Sequence, residues 1–261
     1  MPRFAANLTM LFTELPFAER FAAAKAAGFS AVEYLFPYDF DKAMLREQLV
    51  RHGLTQVLHN LPAGNWAAGE RGIAILRDRV SEFRDGVFRA IDYAKALDCK
   101  QLNCLVGIAP GHSDPRDLEE VLIGNLRFAA AALAAENIKL LIEPINTIDI
   151  PGFFLHRTDQ ALRLISEVRS ENVFVQYDIY HMQIMEGDLA RTMEKHLARI
   201  AHIQLADNPG RHEPGTGEIN YSFLFRHLDA IGYAGWIGCE YKPRTTTLEG
   251  LSWHAIHEFE T

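Results

Sequence analysis

Short apolar runs alternate with longer amphipathic stretches from one end of the chain to the other, the pattern that a parallel sheet wrapped in helices produces. Eight strands are predicted, at 4 to 10, 31 to 36, 55 to 61, 101 to 106, 139 to 145, 173 to 179, 200 to 206 and 236 to 242. The helical period is clearest at 118 to 137, where Leu118, Val121, Leu122, Leu126, Ala129 and Leu133 recur at helical spacing beside Glu119, Glu120 and Arg127. A shorter stripe, Phe17, Phe21 and Ala24, stops at Gly28, which permits the left-handed turn that closes a helix. Further helices are predicted at 41 to 52, 79 to 97, 157 to 169, 188 to 198 and 222 to 231, with a last one after 247. Eight units in 261 residues leave about 33 residues for each, close to the minimum for a strand, a crossover helix and two turns. The expected fold is therefore α/β, a (β/α)8 barrel, with residues 1 to 261 forming one domain.

One connection breaks the rhythm. Residues 62 to 78 separate the third strand from its helix, and they leave a strand at the end where barrel enzymes build their sites. Trp66, Glu70 and Arg71 are placed to cover a substrate there; the plainer reading is a solvated loop whose tryptophan packs on a neighbour.

Composition narrows the class. Hydrophobic residues make up 48% and charged residues 23%, enough apolar material for a large core, which excludes disordered and fibrous classes. The formal charge is −8 and no long basic run occurs, so no nucleic-acid or other polyanionic partner is expected. Cys99, Cys104 and Cys239 form no CxxC pair, and an odd count argues against a disulfide framework, so a reducing cytoplasm is expected. The first residues read as a strand, interrupted by Asn7, rather than as a signal peptide, and no apolar stretch approaches the roughly 20 residues of a membrane span. The number of subunits is left open, and a homo-oligomer is compatible with the sequence.

The chemistry sits where apolar strands finish. Glu143 follows Leu-Leu-Ile, Asp178 follows Val-Gln-Tyr, Gln204 lies in His-Ile-Gln-Leu, and Glu240 follows Ile-Gly-Cys. A single such residue is more often a structural hydrogen-bonding group than a ligand. Four on consecutive strands, five to eight, converge on one mouth of a closed barrel, with no matching set of lysines or arginines to neutralise them. A divalent cation would relieve their repulsion, and all-oxygen donors select Mg²⁺ or Mn²⁺ over zinc.

At these residues the chain resembles the hydroxypyruvate isomerase family, within the xylose-isomerase-like TIM barrels that also include 2-oxo-tetronate isomerases, ketose 3-epimerases and endonuclease-IV-type enzymes. The resemblance covers essentially the whole chain and is most specific at 58 to 72, 142 to 146, 176 to 183, 206 to 221 and 238 to 243. It implies a metal-dependent enzyme interconverting hydroxypyruvate and tartronate semialdehyde, or a related 2-oxo and 3-oxo sugar acid. It also implies that Glu143 and Glu240 are the paired acid/base residues and touch the metal, with Asp178 and Gln204 as the other ligands. The wider superfamily usually places histidine where Gln204 stands, and the epimerases carry a Glu where this chain has Asp149.

Moving a carbonyl to the neighbouring carbon passes through an enediolate, whose charge a divalent ion stabilises while two glutamates carry the proton. His181 resembles a superfamily histidine that hydrogen-bonds a substrate oxygen; a structural histidine is the alternative. His59, at the end of the third strand, is expected to point into the mouth, and His202 to serve the core. Arg71, Arg211 and Lys242 are the candidate partners of a substrate carboxylate, and Gly215-Thr216-Gly217 could form an anion-binding turn. The competing readings are a ketose 3-epimerase-like enzyme, a multi-zinc phosphodiesterase, which would need many histidines and a basic surface, and a sugar-acid binding protein without turnover.

Overall fold

The computed structural model describes residues 2 to 253. Eight strands close into a barrel in chain order: β1 (Arg3–Asn7), β2 (Ala31–Glu33), β3 (Thr55–Asn60), β4 (Gln101–Cys104), β5 (Lys139–Ile142), β6 (Val173–Asp178), β7 (Ile200–Leu205) and β8 (Trp236–Cys239). Every neighbouring pair is parallel, including β1 with β8, where Arg3 lies opposite Trp236. The strands stop earlier than the apolar runs suggest, because at the mouth the chain leaves the ladder while its side chains stay buried. Glu143 and Glu240 thus stand one residue beyond β5 and β8.

The helices are α1 (Arg20–Ala26), α2 (Lys42–His52), α3 (Val80–Leu97), α4 (Pro115–Ala135), α5 (Thr158–Val168), α6 (Ile179–Met185), α7 (Leu189–His196) and α8 (Tyr221–Ala230). Helix α4 begins three residues before the expected start, because Asp114 accepts the Arg116 N–H as a cap and Pro115 needs no donor at the first position. Its Leu122, Leu126 and Leu133 are fully buried, each contributing about 1.5–3 kcal/mol on leaving water. Helix α6 is not foreseen by periodicity: it starts on Asp178, whose Oδ1 accepts the backbone N–H groups of Tyr180 and His181. Of the helix expected after 247, the described part is the 3₁₀ turn Glu249–Leu251 and the helical Ser252 and Trp253 that follow it; the remainder lies outside the described residues.

The main core fills the layer between strands and helices, and a second cluster, Ala5, Ala31, Val57, Leu58 and Leu141, is contributed by strands alone and fills the barrel interior. Among the described residues no helix is long and apolar enough to cross a membrane.

Candidate active site

The loops and strand ends at the C-terminal mouth enclose a cavity of about 560 Å³. Its walls include Glu143, Gln204, Glu240, His181, Arg211, Lys242, Arg71 and Trp66, so most of the site candidates gather in one place.

Glu143 is buried, and its Oε2 accepts a hydrogen bond from Asn103 Nδ2 on β4 at 2.9 Å. Asp178 is fully buried; with Oδ1 committed to capping α6, its Oδ2 has no hydrogen-bond donor among the described residues. Glu240 accepts from Arg211 Nη2 at 2.7 Å and from Asn7 Nδ2 at 3.3 Å. His181 Nε2 lies 3.6 Å from Asp178 Oδ2 and 4.0 Å from Glu143 Oε1. Donor atoms of Glu143, Asp178 and His181 all fall within 4.8 Å of one another, close enough to share one metal ion.

Crowding three carboxylates out of water makes ionisation costly. Burial, then Glu240 and Asp178, push Glu143 well above the usual carboxylate range. Burial raises Asp178 as well, although Arg211 opposes it. Glu240 is pushed up to about 8, by burial against the pull of Arg211, with Asp178 and Glu33 adding to the rise. Burial alone would lower Arg211, but Glu240, Asp178 and Glu143 outweigh it and hold the guanidinium charged.

Gln204 donates Nε2 to Glu33 Oε1 at 2.7 Å and accepts at Oε1 from Gln176 Nε2 at 2.6 Å. One lone pair of its oxygen therefore remains for another partner. Glu33, at the end of β2, was not among the sequence candidates, yet it is buried and lines the cavity. It also accepts from Asn7 at 2.9 Å and bonds His202 at 2.7 Å, which gives His202 the core role expected of it. Its signal in the sequence is the one that exposes Glu143, a carboxylate closing an apolar strand. Gln176 and Asn103 were also missed; Gln176 shares a strand face with Asp178 at a spacing of two.

Two predicted positions fall elsewhere. His59 does not enter the mouth: Leu58 and Asn60 line the cavity, so the alternation of β3 turns His59 outward, where it is fully buried against Gln56 and the ring of Tyr38. Glu70 does not line the cavity either; its carboxylate accepts the Asn65 N–H and pairs with Arg79, bracing the loop from within. That loop is folded rather than loose. Arg71 lies 4.0 Å over the Trp66 ring and donates to the carbonyls of Trp66 and Glu70, Trp66 packs on Phe36, and Gly72 bridges Val106. Gly72 has φ +118°, and an added Cβ would overlap the Leu105 carbonyl oxygen.

The loop after β7 is wound around Asp207. Its carboxylate accepts the N–H groups of Asn208 and Ile219 on Oδ1 and of Gly215 and Gly217 on Oδ2, at 2.9–3.1 Å. The glycine turn read as an anion site thus holds the chain's own carboxylate. The same loop presents Arg211, which stacks 5.2 Å from the Tyr180 ring and whose carbonyl accepts the Lys242 N–H. Lys242 itself is exposed at the rim.

Residues 21–256 match the model of the xylose isomerase-like TIM barrel family. The chain is 55% identical to hydroxypyruvate isomerase of Escherichia coli K12, over 97% of this chain and 98% of that protein. It is 49% identical to 2-oxo-tetronate isomerase of Cupriavidus necator, over 97% of each. A solved structure from Brucella melitensis, described as an AP endonuclease of family 2, superposes with a TM-score of 0.96 at 51% identity, covering 98% of this chain and 99% of the other.

Proposed function

Since the chain belongs to the xylose isomerase-like TIM barrel family, we propose that it is an isomerase of small sugar acids, moving a carbonyl to the neighbouring carbon of hydroxypyruvate or a 2-oxo-tetronate. The observation that carries this reading is the pair Glu143 and Glu240, buried in one cavity and both raised above the usual carboxylate range, Glu240 to about 8, so that a proton can be held on a carboxyl group beside the substrate. One glutamate removes the proton beside the carbonyl and the other returns a proton next door. Arg211, with Lys242 at the rim, faces the substrate carboxylate. Arg71, held over Trp66, lines the same cavity and would help keep water from the enediolate.

Support for one divalent ion, with Mg²⁺ or Mn²⁺ as our reading, comes from three buried carboxylates beside the Arg211 guanidinium and from Asp178 Oδ2, which has no hydrogen-bond donor among the described residues. Glu143, Asp178, Glu240 and the Gln204 oxygen would hold it. When bound it supplies a Lewis acid for the oxygens on which charge develops.

The Brucella structure is described as an endonuclease, which raises phosphodiester cleavage as a competing reading. A phosphodiesterase of that type requires a histidine-rich zinc cluster and a basic face, whereas this cavity is walled by carboxylates and the chain carries −8.

The test is turnover by the purified chain of hydroxypyruvate, 2-oxo-tetronates and neutral ketoses, in chelator and with defined Mg²⁺ or Mn²⁺. Acids should be isomerised, chelation should abolish the activity, and Glu143→Gln and Glu240→Gln should each lower kcat by about 10²–10⁴-fold. Turnover of ketoses but not acids, or full activity in metal-free protein, would overturn the proposal.

A further inference from the structure

Asn146, three residues past Glu143 and fully buried, makes every hydrogen bond its side chain can make. Its Oδ1 accepts the backbone N–H groups of Ile148 at 3.0 Å and Asp149 at 2.8 Å. Backbone N–H groups only donate, so the oxygen must face them and the amide cannot be turned round. The NH₂ group is thereby aimed the other way. One hydrogen goes to Asp149 Oδ2 at 3.1 Å and the other to Nδ1 of His181 at 2.7 Å. Asp149 is itself anchored by the Tyr180 hydroxyl at 3.0 Å.

A ring nitrogen that receives a hydrogen bond carries a lone pair and no proton. His181 is buried, so its neutral ring keeps its one proton on Nε2, the nitrogen directed at Asp178 and Glu143. We propose that Asn146 is a positioning residue that fixes His181 as the Nε2–H tautomer, making His181 a neutral hydrogen-bond donor to a substrate oxygen rather than a metal ligand or a proton acceptor. The role toward substrate rests on the reading of the cavity as an isomerase site; the tautomer does not.

Two consequences follow from the lone proton. A metal ion bound beside Asp178 is left with oxygen ligands, because the histidine nitrogen within reach offers a hydrogen instead of a lone pair. The proton shuttle also stays with the glutamates, while His181 stabilises charge on oxygen without surrendering its proton.

The test is a long-range ¹H–¹⁵N spectrum of histidine-labelled, metal-free protein, with His181 assigned by the signals lost in His181→Gln. The expected wild-type pattern is an unprotonated Nδ1 and a protonated Nε2. Asn146→Asp, which offers only acceptors to the ring, should move a proton onto Nδ1 and lower kcat about 100-fold with a much smaller change in KM. A wild-type ring protonated on Nδ1 overturns the proposal, and needs no variant to be observed. So does an Asn146→Asp spectrum unchanged from wild type, or a moved proton with kcat unaffected. Failure of every sugar acid as a substrate would instead sink the isomerase reading while leaving the spectrum to decide the tautomer.

Discussion

Gln204 is the member of the cluster whose role depends most on a single atom. Its amide nitrogen is taken by Glu33, so whatever lies on the other side meets its oxygen, already shared with Gln176. An amide oxygen suits Mg²⁺, whereas an imidazole nitrogen favours Co²⁺ and Zn²⁺. Gln204→His should therefore raise the ratio of Co²⁺ to Mg²⁺ affinity, measured by titration of both ions at fixed pH. An unchanged ratio in a folded variant would remove Gln204 from the ligand set. The four strand-end residues could be read from the sequence because a polar residue that closes an apolar strand is buried along with it and must meet a partner there. Asn7, Asn103 and Asn146 could not: an asparagine near a turn is commonplace, and what gives these their part is a partner 26 to 40 residues away or further. His59 failed as a site residue because β3 carries it one step out of phase with Leu58 and Asn60, a parity that the apolar run alone did not fix.

At the scale of elements, the loop from 62 to 78 rests on Glu70, which ties Asn65 to Arg79 across the 3₁₀ turn Trp66–Ala68. Glu70→Ala should loosen this loop without unfolding the barrel, since the pair with Arg79 is about a third exposed and contributes little to global stability. The expected result is faster amide exchange over residues 65 to 71 and a higher KM, with the melting temperature nearly unchanged. Exchange at the wild-type rate would show that Trp66 and Arg71 hold the loop unaided. Eight strands in order and the main helices were legible because periods of two and of about 3.6 survive in any sequence that buries one face. Helix α6 was not, as its seven residues are largely buried and show no polar stripe; its start is dictated by Asp178 acting as a cap, a role invisible while that residue is read only as a ligand.

For the molecule as a whole, the buried carboxylates set a dependence of stability on pH. Glu240 rises from its ordinary 4.5 to about 8 and Glu143 rises in the same direction, so the folded state binds protons more tightly than the unfolded chain. The contribution of Glu240 is complete below about pH 4.5 and is lost as pH climbs through about 8, and Glu143 acts in the same direction. Thermal melts in chelator should accordingly show a falling melting temperature between about pH 5.5 and 8.5, and added Mg²⁺ or Mn²⁺ should restore more at the upper end. A flat profile in chelator would mean that Arg211 compensates the carboxylates fully. The pairing of β1 with β8 carries a kinetic consequence: the hydrogen bond from Asn7 to Glu240 joins residues 233 apart, so the mouth exists only after the chain's two ends have met. Loop closure over that span comes late and slowly, and an ion that needs the finished mouth cannot speed the steps before it. Stopped-flow measurements should find Mn²⁺ slowing unfolding while leaving the refolding rate almost untouched, so that the ion acts as a latch on a ring already closed.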